Sequence, residues 1–257
     1  MAQWTAFPHP GTYQHDAASV RRDWSRLHAG DAEPLPADPE VLRAWVLFHN
    51  GEFQQAHDAG LKAGGAGITV ANKAACIYAN YLEKLEKVRL DLLLQAAVRA
   101  EEQAECEPAN YNAWYWQAYA LGRYSQGISV AKALAQGLGS RVKEALERTI
   151  ALQPRHADAH VALGAFHSEV IDKVGTLIGG MTYGAKKETG LRMFQEALQL
   201  HPHSPIALIE YANGLVMLEG EKMIRDATQL YAQAAALEPA DAMERLDVEL
   251  ARLELAA

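Results

Sequence analysis

Four prolines divide this chain at wide, similar intervals, and each one closes a stretch of helical apolar spacing. Pro108, Pro154, Pro202 and Pro239 stand 46, 48 and 37 residues apart. A proline just past a helix end stops it, because its ring removes a donor and clashes with the preceding turn. Ahead of Pro154 lie Val142, Leu146, Thr149, Ile150 and Leu152; ahead of Pro202 lie Leu191, Phe194, Ala197, Leu198 and Leu200. Both sets follow the 3.6-residue period of an amphipathic helix. A second helical pattern starts after each proline: Trp114, Ala118, Leu121; then His160, Leu163, Gly164, His167; then Leu208, Tyr211, Ala212, Leu215. A helix pair cannot bury both of its apolar faces alone. Its recurrence therefore predicts an all-α solenoid of stacked helical hairpins.

These residues resemble the tetratricopeptide repeat. Trp114, Ala118 and Leu121 match the first helix of one repeat, and Leu163-Gly164 matches the next. Ala227, Tyr231, Ala234 and Pro239 match a second helix, and Leu47, Asn50-Gly51-Glu52-Phe53 and Ala56 resemble an inter-helix turn. The resemblance implies about five divergent repeats over residues 37–240. Residues 1–36 form an N-terminal arm with a short helix from Asp16 to His28, and residues 241–257 form a C-terminal capping helix. In this register Trp114 is wedged between paired helices.

The departures from a 34-residue repeat are concentrated in two places. Gly127–Arg141 and Val170–Lys187 are apolar, glycine-bearing inserts between the helices of a pair. The expectation is a lengthened first helix followed by a loop in each. Trp114-Tyr115-Trp116-Gln117-Ala118-Tyr119, the insert after it, and Arg141–Glu147 resemble the proteins related to regulators of microtubule dynamics. They also resemble the T-component of TRAP transporters. That resemblance implies a helical scaffold and, through the T-component, a carrier of apolar ligands.

Charge and composition exclude other classes. The net charge of −8 argues against a nucleic-acid partner, since phosphate binding draws on Lys and Arg. No run of 18 apolar residues exists to span a bilayer. The opening residues lack a basic-then-apolar signal pattern, so the expected location is cytoplasmic. Cys76 and Cys106, the only cysteines, are expected as reduced, packed thiols.

Catalytic and metal patterns fail on inspection. Gly179–Lys186 approaches a phosphate-cradling loop, but Ala185 stands where the lysine belongs, and no strand precedes it. His160 and His167 fall at repeat packing positions, with His156 at the start of their helix, and no completing ligand set accompanies them. No nucleophile elbow occurs. The expectation is no enzyme, no cofactor and no metal.

Aromatics with polar tips carry the remaining signal, because Tyr, Trp and Arg combine contact area with hydrogen-bonding ends. The repeat register places Tyr115, Tyr119 and Arg123 on a concave face. It also places there Trp45 and Phe48 in the first pair, Tyr78 and Tyr81 in the second, and Asn213 in the last. The leading expectation is a non-enzymatic adaptor holding a protein or peptide segment in an aromatic groove. Its rival is a carrier enclosing a small apolar ligand. Two arrangements close such a groove: aromatics packing on the inserts, or the arm, with Trp4, Phe7, Tyr13 and Trp24, lying in it as a plug.

Overall fold

The computed structural model describes residues 3–256, and thirteen α-helices account for most of them. The helices are α1 (Ala17–Leu27), α2 (Pro39–His49), α3 (Phe53–Ala63), α4 (Gly67–Tyr81), α5 (Glu86–Cys106), α6 (Tyr111–Gln126) and α7 (Val130–Ala135). They continue with α8 (Leu138–Leu152), α9 (Ala157–Tyr183), α10 (Lys187–Leu200), α11 (Pro205–Glu219), α12 (Ile224–Ala236) and α13 (Ala242–Ala256). Ten of them pair as the hairpins α2/α3, α4/α5, α6/α8, α9/α10 and α11/α12.

The punctuating prolines act as their chemistry requires. Helices α5, α8 and α10 end at Cys106, Leu152 and Leu200, each two residues before its proline, and α12 ends at Ala236, three before Pro239. The next helix then starts on a side-chain cap. Asn110, His156 and Ser204 accept from the amides of Ala113, Ala159 and Ala207, which satisfies donors that the first turn leaves open. In α1, Asp16 and Ser19 form a reciprocal capping box.

The chain forms two compact units. The first comprises the arm through His28, Glu33–Leu152 and Asp241–Met243; the second comprises Ala29–Ala32, Gln153–Ala240 and Glu244 onward. The core of the first unit holds Trp45, Phe48, Ile77, Leu93, Trp116, Leu121 and Leu146. In the second, Phe194 is fully buried among Val161, Ala197 and Ala207. Ala251 of α13 packs with Leu208, Ile209 and Ala234, so this helix covers the last hairpin.

The two inserts fold differently. After Gln126 the first insert leaves α6 at ordinary length and folds into the short α7, capped by Ser129. The second does lengthen its helix: α9 runs 27 residues, but Gly175, at φ 81° and ψ 159°, breaks it into two stretches. Gly184 then stops it in the left-handed conformation. Two further expectations are corrected. Trp114 is only half-buried, its indole N–H on the Pro108 carbonyl, while Trp116 occupies the core position. Cys106 is exposed near the end of its helix, where Pro108 turns the chain away; Cys76 is buried as expected, and burial pushes its thiol up to about 12.

Candidate functional site

Helices α2, α4 and α6 are the first helices of the three hairpins in the first unit, and they carry seven of the eight expected binding residues. The structure sorts these into three groups.

Trp45 and Phe48 are core residues rather than groove-lining ones, both 0% exposed. The α1 side of the arm covers Trp45. Trp24 meets Trp45 edge-on at 6.0 Å, and the His28 ring lies 4.6 Å from Trp45. The Lys73 ammonium sits 5.5, 5.1 and 5.8 Å from the rings of Trp45, Phe48 and Trp116. An ammonium over aromatic faces gains attraction from the ring quadrupole, which offsets part of its desolvation. The signal for this arrangement stands in the sequence, because Lys73 is the only charged side chain in α4.

Tyr78 is buried as well, and its cover is the N-terminal end of the arm. The Trp4 ring stacks on Tyr78 at 4.2 Å and 11°. The Tyr78 hydroxyl accepts from the Thr5 amide at 3.1 Å and donates to Glu83 at 2.9 Å. Tyr81, near the end of the same helix, is half-buried.

The third group lies on α6. Tyr115 is buried against Trp116, their ring centroids 5.0 Å apart, and it neighbours Tyr119 at 6.2 Å. Tyr119 and Arg123 are half-buried; the guanidinium lies 5.5 Å from the Tyr119 ring and donates to the Gln126 side chain at 3.3 Å. Tyr115, Tyr119 and Arg123 thus form one stripe at four-residue steps. Asn213 belongs to the second unit, where it accepts a 2.6 Å hydrogen bond from the Tyr231 hydroxyl and ties α12 to α11.

A buried polar chain in the first unit has no clear sequence signal. His49 Nδ1 lies 2.7 Å from the Asp241 carboxylate, and His49 Nε2 lies 3.3 Å from His28 Nε2. A carboxylate only accepts, so the proton sits on His49 Nδ1, and Nε2 accepts from His28. Burial holds the His49 imidazole below its ordinary value, against the pull of Asp241. With both rings buried, the chain fastens α1 and Asp241 to α2.

The three histidines weighed as metal ligands have structural partners. His156 caps α9, His160 Nε2 lies 3.0 Å from the Pro154 carbonyl, and His167 Nδ1 accepts from the Lys186 amide at 3.2 Å. A cavity of about 320 Å³ lies beside α7, lined by Glu86, Lys87, Leu90, Asp91, Leu94, Tyr124 and Lys132. Among the described residues no helix is long and apolar enough to cross a membrane.

The comparisons with known proteins agree with this architecture. A profile of the family described as regulator of microtubule dynamics protein 1-3 matches residues 66–249. No curated protein matches the chain. Among solved structures, a thermophilic TPR protein from Thermus thermophilus is similar, with a TM-score of 0.59 and 14% identity over 83% of this chain and 97% of that one. At this identity the likeness speaks for the fold: an all-α, tetratricopeptide-like solenoid of helical hairpins.

Proposed function

We propose that this chain, which belongs to the regulator of microtubule dynamics protein 1-3 family, is a non-enzymatic adaptor of the cytoplasm that holds a protein or peptide segment. The fold is that of protein-interaction scaffolds generally; the site is argued from residues. The observation that carries it is the stripe Tyr115, Tyr119 and Arg123 on α6, whose last two members are half-buried with the guanidinium 5.5 Å from the Tyr119 ring. An amphipathic aromatic beside a guanidinium is what a protein surface needs to bind with few contacts.

The test is native mass spectrometry of the protein purified from its own host, wild type beside Tyr119→Ala. A bound protein or peptide that the variant loses supports the adaptor. A co-purified small apolar molecule that survives the substitution supports the carrier.

A further inference from the structure

Residues 3–16 are held in the way a bound peptide is held by a receptor. Helical structure begins only at Ala17; residues 3–7 and 13–16 carry no regular structure, and a turn in which the Thr12 amide donates to the His9 carbonyl at 3.3 Å joins them. Side chains, not a backbone ladder, read its backbone. Gln54 Oε1 accepts the Trp4 amide at 3.0 Å, and the Tyr78 hydroxyl accepts the Thr5 amide at 3.1 Å. The Asn50 carboxamide takes both backbone groups of His15: its oxygen accepts the amide at 2.8 Å, and its nitrogen donates to the carbonyl at 3.0 Å.

Two side chains of the segment fill dedicated seats. Trp4 lies flat on Tyr78 and 5.2 Å from His57. Phe7 is buried, edge-on to Phe53 at 6.2 Å, above Gly51. A Cβ on Gly51 would stand 2.6 Å from the Phe7 ring, and Gly51 has φ +84°. The α2–α3 turn therefore needs glycine for its backbone, and the same glycine opens the space under Phe7.

We infer that this seat, built from Asn50, Gly51, Phe53, Gln54, His57 and Tyr78, is a recognition groove for a partner's extended segment with two aromatics three residues apart. The chain's own arm occupies it as a tethered competitor. Backbone anchoring by Asn50, Gln54 and Tyr78 tolerates varied sequence, and the two ring seats supply selectivity. The inference deepens the adaptor reading and rests on it, but at a place distinct from the α6 stripe. A short tether gives the arm an effective concentration in the millimolar range, so a partner binds only to the fraction of molecules with the arm released.

The test uses the full chain and a fluorescein-labelled peptide of residues 3–16 as probe, read by fluorescence anisotropy. The chain carrying Trp4→Ala and Phe7→Ala binds the probe at least about tenfold more tightly than the unmodified chain, because its own arm no longer competes. Adding Asn50→Ala and Gln54→Ala removes that binding, and a probe with alanine at both aromatic positions does not bind. Native-state hydrogen exchange gives a second readout: the amides of Thr5 and His15 exchange faster than those inside α4, showing release without unfolding. Equal probe affinity for both chains, or binding that survives the Asn50 and Gln54 substitutions, overturns the inference. So does an arm variant that unfolds, or arm amides that exchange only on global unfolding, since the arm is then a wall of the core. A wild-type dimer that the arm variant loses assigns the seat to a second copy and overturns the partner. In each of these cases the Tyr119→Ala comparison still judges the adaptor reading separately.

Discussion

The two units fill the space inside a stack of hairpins by opposite means. In the first, large rings do it: Trp45, Phe48 and Trp116 gather around Lys73, and the arm adds Trp4, Phe7 and Trp24 from outside the repeats. In the second, one ring is seated by glycines. Phe194 of α10 is fully buried, and a Cβ on Gly164 of α9 or Gly214 of α11 would stand 2.9 or 2.4 Å from it. The small-residue solution lets the helices around Phe194 approach closely, with α13 covering the last hairpin. The large-residue solution brings in rings of the arm, a segment from outside the repeats. A segment recruited for cover can also be recruited for regulation, so the site proposals fall on the first unit.

The largest effect that separates the two solutions is expected at Phe194. With one ring at the centre, Phe194→Ala costs about 3–5 kcal/mol, as large truncations in cores do. Chemical denaturation checks it, and a loss below about 1 kcal/mol would show that the second unit does not depend on that ring. Next comes Gly214→Ala, which drives a methyl into the same ring and costs about 1–3 kcal/mol by overpacking. If Gly214→Ala proves neutral, the close approach of α11 to Phe194 is not the organising contact.

That asymmetry marks what the sequence could and could not reveal. The prolines and the 3.6-residue pattern are local, and they made the helix boundaries legible. Leu163-Gly164 was legible as a repeat position too, because a small residue at a helix crossing is a local requirement. The rotation of α6 was not. Four aromatics, Tyr111, Trp114, Tyr115 and Trp116, fit either face, and only packing against α4 and α8 selects Trp116 over Trp114 for the core. The seat of the arm was open for a different reason. Its contacts join residues 35 to 73 positions apart, and no period in the sequence records which groove an extended segment chooses. The same holds for Trp45 and Phe48, whose aromatic character suited a groove and a core equally.

Acid is expected to act on the first unit. Burial lowers the folded values of His49 and His57 below the ordinary 6.5. Where the unfolded chain binds more protons than the folded one, stability rises with pH. These two groups therefore contribute fully above about pH 6.5, and their contribution is lost as pH falls toward the folded values. The melting temperature should hold between about pH 8 and 7 and fall from about pH 6.5 downward. Constant or rising stability on mild acidification contradicts His49 and His57 imidazoles held neutral by burial. A smaller effect of opposite sign tests the glycines of the first unit. A Cβ on Gly122 in α6 meets nothing within 4 Å, so Gly122→Ala stabilises by about 0.5–1 kcal/mol through helix propensity. Destabilisation there would mean that Gly122 also sits at a close approach, as Gly60 and Gly67 do between α3 and α4.

The smallest stability change is expected at Tyr119, and there it discriminates most. Its ring lies 5.2 Å from Trp116 and 5.5 Å from the Arg123 guanidinium, and it is half-buried rather than enclosed. Trp116 keeps its core contacts without it, so Tyr119→Ala lowers stability by about 1 kcal/mol or less, within the range of partly exposed substitutions. A binding role predicts a loss of about 1–3 kcal/mol toward the partner at the same position. The melting curve needs only pure protein and comes first. If Tyr119→Ala and Arg123→Ala both melt the protein as readily as Phe194→Ala does, the stripe on α6 is sealed core. The first unit then differs from the second only in the size of its filling residues, and the adaptor reading loses its surface. If both variants melt near wild type and lose the partner seen by native mass spectrometry, aromatic residues in the first unit serve two ends: Trp116 holds the helices together, and Tyr119, three residues on, faces outward to bind.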